Sequence, residues 1–498
     1  MAKSSNQANS RYLEVERKFE VVESTVSPSF EGLSSVSRAE RSPPQQLDAV
    51  YFDTPGHDLA VHHVTLRRRT GGNDEGWHLK LPAGPDARTE VRAPLGDASD
   101  ADAVPEELLD VVLAIVRDRP VRPVARITTS RSVDVLYGHD GLPLAEFCDD
   151  QVTAQAGPDG EEQRWREWEL ELAEGADRDL LDRLTNRLLD AGAMPAGHGS
   201  KLARVLESAG EPEQEEVAAP TDPVHRAVAE QVEQLLVWDR AVRADVYDSV
   251  HQMRVTTRKI RSLLQASEGA FGISDDAWIL DELRQLAAVL GVARDAEVLA
   301  ERYEQTLDEL PAELVRGPIR ERLVDGAKNH YASGLRRSLI AMRSQRYFRL
   351  LDALEGLVAA EPPAAPPGEE PVQLTIDAAY KRIRKAAKAA AEAADADRDE
   401  ALHRIRKGAK RLRYTAAATG ADKVSDRAKT IQSLLGDHQD SVVSRTHLSQ
   451  QAEAANAAGE DTFTYGLLYQ REDDLARRSR EQLDDALKKL DRSVHSAY

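Results

Sequence analysis

The stretch LEVERKFEV, residues 13–21, alternates charged and apolar side chains. In an extended strand successive side chains point to opposite faces, so Glu14, Glu16 and Lys18 would share one face and Val15 would lie on the other. Three ionised groups on a buried face are costly unless they are paired, hydrogen-bonded or bound to a metal. A solvent-facing edge strand would also explain the alternation, and the neighbouring segments decide between these interpretations.

Charged residues recur at every second position in several other segments of the first 206 residues. The like-facing residues are Arg67 and Arg69 in TLRRR, His78 and Lys80 in WHLK, Arg88, Glu90 and Arg92 in RTEVR, and Glu167, Glu169 and Glu171 in REWELEL. Turn sequences such as TGGNDEG and YGHDG separate the segments, and helical patterns interrupt them at 105–118 and 179–192. Repeated charged faces favour a closed antiparallel barrel with a polar interior and an exterior that packs against helices.

A barrel that contains both carboxylates and basic groups requires a ligand that neutralises both. Carboxylates bind hard divalent cations such as Mg²⁺ or Mn²⁺, whereas Arg and Lys bind phosphate oxygens. The pattern therefore predicts a metal-assisted site for a phosphate-containing substrate inside the barrel.

The composition of the chain limits the function classes. A length of 498 residues exceeds what one hydrophobic core supports and predicts more than one domain. The net charge of −20 disfavours a protein that covers nucleic acid with its whole surface. The single cysteine, Cys148, excludes an internal disulfide framework and a cysteine-based zinc cluster. Because the sequence has neither an apolar run of membrane-spanning length nor a signal-peptide pattern, we expect a cytoplasmic protein with a short disordered tail at 1–10.

The chain divides into a strand-rich part and a helical part. The strand-rich domain is predicted over 11–206, and residues 207–221 have the acidic, Pro- and Gly-containing composition of a linker. Over 222–498 the apolar periodicity is helical, with little strand signal. The predicted fold class is therefore α+β, an antiparallel barrel with outer helices followed by an all-α domain of two duplicated helical bundles.

The two halves of the helical part, about 222–359 and 372–490, flank a Pro-rich break at 360–371 and resemble each other. Basic residues follow His251 and His403 at the same offsets of +3, +7, +8 and +10. They are Arg254, Arg258, Lys259 and Arg261 in the first half, and Arg406, Lys410, Arg411 and Arg413 in the second. A related segment follows each set, LGVARD in one half and LGDHQD in the other. We therefore predict an internal duplication.

Each histidine and three of its basic residues form one stripe, since offsets of 0, +3, +7 and +10 lie within roughly 80° of one another on an α-helix. A third basic stripe, which includes Arg384, precedes His403. Like charges at these spacings destabilise an isolated helix, which predicts a bound counter-anion. The alternative partners are acidic residues on neighbouring helices, such as Asp295, Asp437 and Asp440.

The first 206 residues resemble the CYTH domain of the triphosphate tunnel metalloenzyme superfamily, because EVERK, TLRRR, HLKLP, RTEVR, WELEL and SKLARVL occur in that family's order. The resemblance implies an eight-stranded antiparallel tunnel that binds or hydrolyses triphosphate-containing substrates with a divalent metal. The implied metal ligands are Glu14, Glu16, Glu169, Glu171 and Asp149, with Asp150 as the alternative to Asp149. The expected phosphate contacts are Lys18, Arg67, Arg69, Lys80, Arg88, Arg126 and Lys201.

The expected reaction is hydrolysis of inorganic triphosphate or of the end of a polyphosphate chain, with Glu14, Glu16, Lys18 and Lys80 as catalytic residues. Such a reaction needs neutralised phosphate oxygens, an in-line water molecule and a stabilised leaving phosphate. The general base stays open between Lys80 and a carboxylate. Alternatives on the same residues are a thiamine-triphosphatase or adenylate-cyclase-type activity, or a barrel that binds polyphosphate without hydrolysis.

The segments HQMRVTTRKIRSLL, LGVARD, LHRIRKGAKRLRY and LGDHQD are similar to those of the CHAD domain, over about residues 222–490. This resemblance implies polyphosphate binding through a basic channel between two helical bundles. The implied contacts are His251, Arg254, Arg258, Arg261, Arg384, His403, Arg406, Lys407, Lys410 and Arg413. We expect inorganic triphosphate and polyphosphate, including polyphosphate granules, as partners. We expect no membrane partner and no nucleic acid, because no aromatic residues alternate with the basic ones.

Overall fold

The structure, a computed structural model, describes residues 11–96, 103–208, 223–266, 271, 277–360, 376–418 and 420–496. The predicted tail at 1–10, residues 209–221 of the predicted linker and residues 361–371 of the Pro-rich break lie outside this set. The described residues form two compact units. The first unit contains the described residues up to 208 together with Leu236–Val246 and Met342–Glu355, and the second contains the others.

Strands dominate the first unit. They are β1 (Arg11–Val21), β2 (Arg38–Arg41), β3 (Gln45–Asp53), β4 (Thr65–Thr70), β5 (Gly76–Pro82), β6 (Ala87–Ala93), β7 (Arg122–Tyr137), β8 (Pro143–Ala156), β9 (Gln163–Leu172) and β10 (Met194–Pro195). Eight of them pair antiparallel in the order β1, β6, β5, β4, β3, β7, β8, β9, and the pairing of β9 with β1 closes the barrel. The short strands β2 and β10 pair with β7 and β1. The closed eight-stranded barrel confirms the predicted fold of this part of the chain.

Helices cover the exterior of the barrel in two apolar clusters. One cluster joins β1, β8 and β9 to α4 (Arg178–Asp190). The other joins strands β3 to β6 to three short helices, α1 (Asp58–Val61), α2 (Glu106–Val111) and α3 (Leu113–Val116). Because alternate strand residues enter these clusters, the charged residues between them face the barrel interior.

The helix predicted at 105–118 is divided into α2 and α3 at Val112, where the backbone has φ −107° and ψ 10°. Val111 and Val112 are consecutive β-branched residues, a class with reduced helix propensity. The two short helices still bury Leu108 and Ile115 against the strands.

The segment SKLARVL forms a helix, α5 (Lys201–Ser208), which packs against the inner face of the barrel. Leu202 and Val205 of this helix contact a cluster that includes Ile127 and Val152, and all four side chains are buried. These strand residues point inward, so α5 fills part of the barrel interior with apolar groups and leaves the remainder polar.

Helices make up most of the described residues from Pro223 onward. They are α6 (Pro223–Arg243), α7 (Ser249–Ala266), α8 (Trp278–Asp308), α9 (Gly326–Met342), α10 (Gln345–Ala359), α11 (Ile376–Glu392), α12 (Asp395–Ala418), α13 (Asp422–Ala457) and α14 (Phe463–His495). In the second unit, α7 packs against α8, while α11 to α14 pack in sequence around a core that includes Ile383, Leu412, Ile431 and Leu490. The barrel followed by helices confirms the α+β class. Among the described residues, none of the helices combines the length and apolar character of a membrane span.

Candidate functional site

Three neighbouring strands place carboxylates side by side inside the barrel. Glu171 on β9 lies opposite Glu16 on β1 and opposite Glu146 on β8. Glu14 shares a face with Glu16, because the two are separated by a single residue. We call Glu14, Glu16, Glu146 and Glu171 the acidic group. Glu14 and Glu16 are buried and Glu146 is exposed. Like charges directly opposite each other weaken strand pairing, so this arrangement is costly without a counter-charge.

The acidic group is short of positive charge. Burial and the charge of Glu14 raise the pKa of Glu171 to about 7, against the opposing effect of Lys80. Burial also raises the pKa of Glu14, although Lys80 pairs with it. Burial acts in the same direction on Glu16, but Lys18, with Nζ 2.5 Å from Glu16 Oε1, and Lys80 lower its pKa to about 2. A divalent cation would supply the missing charge, and oxygen donors suit Mg²⁺ or Mn²⁺.

A second group of carboxylates, Asp150, Glu167 and Glu169, already surrounds the side-chain ammonium of Lys201. The three residues offer oxygens that all lie within 4.8 Å of one another. Lys201 Nζ is 2.9 Å from Asp150 Oδ2, 2.6 Å from Glu167 Oε1 and 2.8 Å from Glu169 Oε1. Arg131 pairs with Asp150 at 2.6 Å and also with Glu169. We call the three carboxylates the lysine-bound group. Its donors fit a divalent cation, but the position between them is taken by Lys201 Nζ.

Arginines line the interior opposite these carboxylates. The strand that carries Arg67 and Arg69, β4, is the fourth from β9 in either direction around the barrel. Arg67 Nη1 donates to Tyr51 Oη at 3.4 Å, and Arg69 pairs with Asp74. Burial, followed by the charges of Arg67 and Arg131, lowers the pKa of Arg69 to about 9. We call Arg67 and Arg69 the arginine wall. Crowded guanidinium groups attract an anion, and their planar shape matches phosphate oxygens.

The strands β5 and β6 carry paired charges between the acidic group and the arginine wall. Lys80 Nζ pairs with Glu14 and lies 4.0 Å from Glu16 Oε2 and from Glu90 Oε1. His78 Nδ1 lies 2.8 Å from Glu90 Oε1, yet burial lowers the pKa of His78 to about 4. His78 is therefore neutral near pH 7, and Lys80 is one of the cations that reach the acidic group from β5 and β6.

In the second unit, the basic stripes of the two halves meet. Arg254 and Arg258 lie on α7, and Arg406, Lys410 and Arg413 lie on α12. Burial and then the charges of these four arginines lower the pKa of Lys410 to about 7. We call the five residues the basic cluster. Its cations act on one another across the two halves, which makes it a candidate site for a polyanion.

The histidines of the stripes both have lowered pKa values. Burial and then the charge of Arg294 lower the pKa of His251. Burial and then the charges of Lys407 and Arg406 lower the pKa of His403. Surrounding cations disfavour a metal ion at either histidine, so these side chains suit hydrogen bonding to an anion better than metal binding.

Comparison with protein families identifies both parts of the chain. The sequence matches the CYTH domain model over residues 13–204 and the CHAD domain model over residues 226–449. The chain belongs to the proteins that carry a CYTH domain followed by a CHAD domain. We therefore refer to the CYTH barrel and the CHAD region.

Two curated relatives of this CYTH and CHAD protein come from Mycobacterium tuberculosis, strains H37Rv and CDC 1551 / Oshkosh. Both are described as uncharacterized proteins, are 69% identical over 507 residues, and match 98% of this chain and 98% of their own length.

Solved structures similar to parts of the chain have low sequence identity to it. The CHAD domain from Ricinus communis is 22% identical with a TM-score of 0.41, covering 54% of this chain and 90% of that one. PptA from Streptomyces chartreusis is 19% identical with a TM-score of 0.44, covering 53% and 98%. A putative adenylyl cyclase from Hippeastrum, described as having a dominant triphosphatase activity, is 18% identical with a TM-score of 0.25, covering 39% and 96%.

Most of the residues predicted for the tunnel line the interior of the CYTH barrel together. They are Glu14, Glu16, Lys18, Arg67, Arg69, Lys80, Arg88, Glu169, Glu171 and Lys201. Arg88 Nε lies 3.7 Å from Glu16 Oε1. Arg88 Nη2 donates a hydrogen bond of 2.7 Å to the carbonyl oxygen of Gly199. Their individual roles in metal binding, phosphate binding and catalysis stay predictions.

The structure corrects the prediction of Asp149 as a metal ligand. Asp149 Oδ2 lies 2.6 Å from Arg166 Nη2 and accepts a hydrogen bond from Ser27 at 2.7 Å. Adjacent strand residues face opposite sides, so Asp149 points outward while Asp150 joins the lysine-bound group. Asp150, the alternative from the sequence, is the inward-facing carboxylate.

The structure also corrects the prediction of Arg126 as a phosphate contact. The Arg126 side chain is 66% exposed and pairs with Asp48, with its Nη2 2.5 Å from Asp48 Oδ2. Its neighbour Ile127 points inward, so Arg126 lies outside the barrel. Arg131 takes the interior position, since it is an odd number of residues away from Arg126 on the same strand.

Sequence reasoning missed several interior residues. They are Tyr51, Arg131 and Glu146. Strand alternation already places Glu90 and Glu167 on the charged faces, but without a role in metal or phosphate binding. Arg131 required the register of β7 against β8, where it pairs with Asp150.

In the CHAD region, some predicted contacts lie outside the basic cluster. Arg384 lies on the exposed face of α11, where its charge acts on Tyr380. Lys407 is exposed, and its charge acts on His403. Arg261 is partly buried on α7, and its charge acts on Arg258. The predicted polyphosphate contacts thus divide into a central set and flanking positions.

Proposed function

We propose that the CYTH barrel hydrolyses the terminal phosphoanhydride bond of inorganic triphosphate or of short polyphosphate with Mg²⁺ or Mn²⁺, and that the CHAD region binds polyphosphate. CYTH superfamily members are phosphohydrolases or cyclases, and CYTH tunnel enzymes use divalent metals. The neighbour from Hippeastrum is described with a triphosphatase activity, which agrees with this choice.

The proposal rests on two regions of the same barrel, the acidic group and the arginine wall, that contain incompletely compensated charges of opposite sign. Within the acidic group, Glu171 is short of positive charge, since burial and neighbouring carboxylates raise its pKa to about 7. Within the arginine wall, Arg69 is short of negative charge although it pairs with Asp74, since burial and neighbouring arginines lower its pKa to about 9. A divalent cation bound to a polyphosphate would correct both shortages at once.

The residues on the two sides suggest separate roles. Glu14, Glu16 and Glu171 would hold the metal ion, which would neutralise phosphoryl oxygens and orient the attacking water. Arg67 and Arg69 would bind phosphate oxygens from the opposite wall.

Lys80 suits an electrostatic role better than that of general base. Its Nζ already pairs with Glu14 and lies 4.0 Å from two further carboxylates, Glu16 and Glu90. Such an ammonium can donate hydrogen bonds to a phosphate oxygen in the transition state, which stabilises developing negative charge. A carboxylate would then accept the proton of the attacking water.

The decisive experiment measures phosphate release by the full-length protein from triphosphate, long-chain polyphosphate, ATP and thiamine triphosphate, with Mg²⁺, Mn²⁺ or EDTA. We expect release from triphosphate or short polyphosphate that EDTA abolishes. The Glu14→Gln, Glu16→Gln double variant should lose this activity, because it removes two carboxylates of the acidic group. Fast turnover of thiamine triphosphate or cyclisation of ATP would instead support the alternative activities.

A matched pair of arginine variants tests the arginine wall. Arg67→Ala should lower the rate by roughly a hundredfold, because a cation aimed at the phosphate is lost. Arg126→Ala should leave the rate unchanged, since Arg126 is 66% exposed on the outside of the same barrel. If no substrate is hydrolysed while polyphosphate is still bound, the barrel is a non-catalytic polyphosphate-binding module and the enzymatic proposal is wrong.

A further inference from the structure

Two glycines occupy equivalent positions in the duplicated halves of the CHAD region. Gly291 belongs to LGVARD on α8, and Gly436 belongs to LGDHQD on α13. Both lie near the middle of long helices, of 31 and 36 residues, and both are buried. Glycine weakens a helix interior relative to alanine, so its presence at both positions calls for a local explanation.

An arginine lies across each glycine. A Cβ atom on Gly291 would be 3.4 Å from Arg254 Nε, 3.5 Å from Nη2 and 3.6 Å from Cζ. A Cβ atom on Gly436 would be 3.2 Å from Arg406 Nη2, 3.6 Å from Cζ and 3.8 Å from Nε. Any side chain longer than that of alanine would therefore occupy the space of the guanidinium group.

Polar contacts hold Arg254 in the same place. Its Nε donates to the carbonyl oxygen of Ala287 at 3.3 Å, one helical turn before Gly291. Its Nη1 lies 3.9 Å from Asp295 Oδ1, one turn after Gly291, and the Asp295 side chain is 70% exposed. An ion pair this open to water is weak, so the guanidinium remains available to an anion.

The second half repeats the spacing of the glycine and the aspartate. Asp440 follows Gly436 at the same spacing as Asp295 follows Gly291, and the charge of Arg406 acts on Asp440. Arg254 and Arg406 also belong to the basic cluster, where the charges of both act on Lys410. The two arginines thus contribute to one cationic site from two equivalent helix surfaces.

We propose that Gly291 and Gly436 are positioning residues that hold Arg254 and Arg406 flat against α8 and α13 as a matched pair of polyphosphate contacts. This inference rests on the proposed polyphosphate binding by the CHAD region. A guanidinium held in place before binding loses less side-chain freedom when the anion arrives. Two equivalent contacts suit a linear polyanion, because its phosphate units repeat along the chain and each contact can hold one of them.

The test replaces each glycine in the full-length protein and measures binding of long-chain polyphosphate by calorimetry, in EDTA so that the CYTH barrel does not consume the ligand. Gly291→Leu and Gly436→Leu should each weaken binding by about tenfold, as expected for loss of one charged hydrogen-bonding partner. Gly291→Ala should bind like the wild type, because its Cβ meets Arg254 only at 3.4 Å or more. Gly466→Leu is the matched control, since a Cβ on this helical glycine meets nothing within 4 Å.

A double-mutant cycle separates positioning from general damage. Arg254→Ala should also weaken binding by about tenfold, and adding Gly291→Leu to it should cause little further loss, because both changes remove the same contact. Additive losses, or unchanged binding by Gly291→Leu, would overturn the inference. If Gly291→Leu fails to fold, the smaller Gly291→Val replaces it in the same cycle. If the wild type does not bind polyphosphate at all, the proposed function of the CHAD region fails instead.

Discussion

At the scale of single residues, Asp149 and Asp150 show how adjacent carboxylates take different environments. Asp149 bonds Ser27 and Arg166 outside the barrel, whereas Asp150 pairs with Lys201 and Arg131 inside it. The difference follows from strand geometry alone, because consecutive side chains point to opposite faces.

This contrast predicts opposite effects of two conservative changes. Asp150→Asn should lower triphosphate hydrolysis by roughly tenfold or more, because it loosens the interior cations Lys201 and Arg131. Asp149→Asn should leave hydrolysis nearly unchanged but lower the free energy of unfolding by about 1–3 kcal/mol, through weaker bonds to Arg166. Phosphate release and urea unfolding of both variants measure this. Equal loss of activity in a folded Asp149→Asn protein would argue against the assignment of faces.

Lys410 should make the proposed polyphosphate binding dependent on pH. Its pKa is lowered to about 7 by burial and the arginines of the basic cluster, so near neutral pH the free protein carries it only partly protonated. A bound polyanion favours the protonated amine, so binding takes up protons, and affinity should fall as pH rises from about 6 to about 9. The limit for one group is about tenfold per pH unit.

Calorimetry of polyphosphate binding at several pH values, in buffers with different heats of ionisation, measures both the affinity and the proton uptake. Lys410→Arg is the matched control, since it keeps the positive charge without titrating in this range. We expect its affinity to vary less with pH than that of the wild type. An identical pH dependence in the two proteins would show that another group titrates.

At the scale of secondary-structure elements, α5 brings one lysine to three buried carboxylates. Lys201 and the lysine-bound group are all buried, and the apolar side of α5 packs against the inner face of the barrel. Removing one partner of such a group leaves uncompensated charges away from water.

Lys201→Met should therefore lower the free energy of unfolding by about 3–5 kcal/mol in the absence of metal. Because the three carboxylates offer oxygens within 4.8 Å of one another, Mn²⁺ should raise the unfolding temperature of this variant more than that of the wild type. Thermal unfolding with Mn²⁺ and with EDTA compares the two proteins. Lys80→Met, which removes a partner of the acidic group instead, is the comparison variant. If Mn²⁺ stabilised Lys201→Met and the wild type equally, the interpretation that Lys201 Nζ occupies a position suited to a metal ion would be wrong.

At the scale of the whole molecule, a net charge of −20 coexists with one basic cluster and one arginine wall. Acidic surroundings repel polyanions in general, so binding should depend on these local sites and not on overall charge. The catalytic and binding roles that we propose then belong to different residues in different compact units.

The two proposed functions should accordingly be separable. Glu14→Gln with Glu16→Gln should abolish hydrolysis and leave polyphosphate affinity unchanged. Lys410→Glu, which reverses a charge in the basic cluster, should weaken polyphosphate binding by about tenfold or more and leave triphosphate hydrolysis intact. Both proteins would be assayed for phosphate release and, in EDTA, for polyphosphate binding. Loss of both properties in either folded variant would contradict the separation.

Much of the fold follows from local sequence patterns. Charged residues at every second position, as in EVERK, predict strands with one polar face, and their number predicts a closed barrel. The repeated offsets after His251 and His403 predict the duplicated helices. Such patterns are readable because strand and helix periods depend on neighbours only a few residues apart.

Local patterns are thus sufficient to predict the barrel, the helical region and the charged residue types of the site. Which charges meet depends on strand register and on packing, because these contacts join residues distant in the chain. Lys201 reaches Asp150 from a helix inside the barrel. The register of β7 turns Arg131, and not Arg126, toward the interior. Arg254 lies over Gly291, which belongs to another helix. Burial then shifts the pKa of groups such as Glu171, Arg69 and Lys410. These shifts depend on the three-dimensional surroundings of each group and cannot be read from a local sequence pattern.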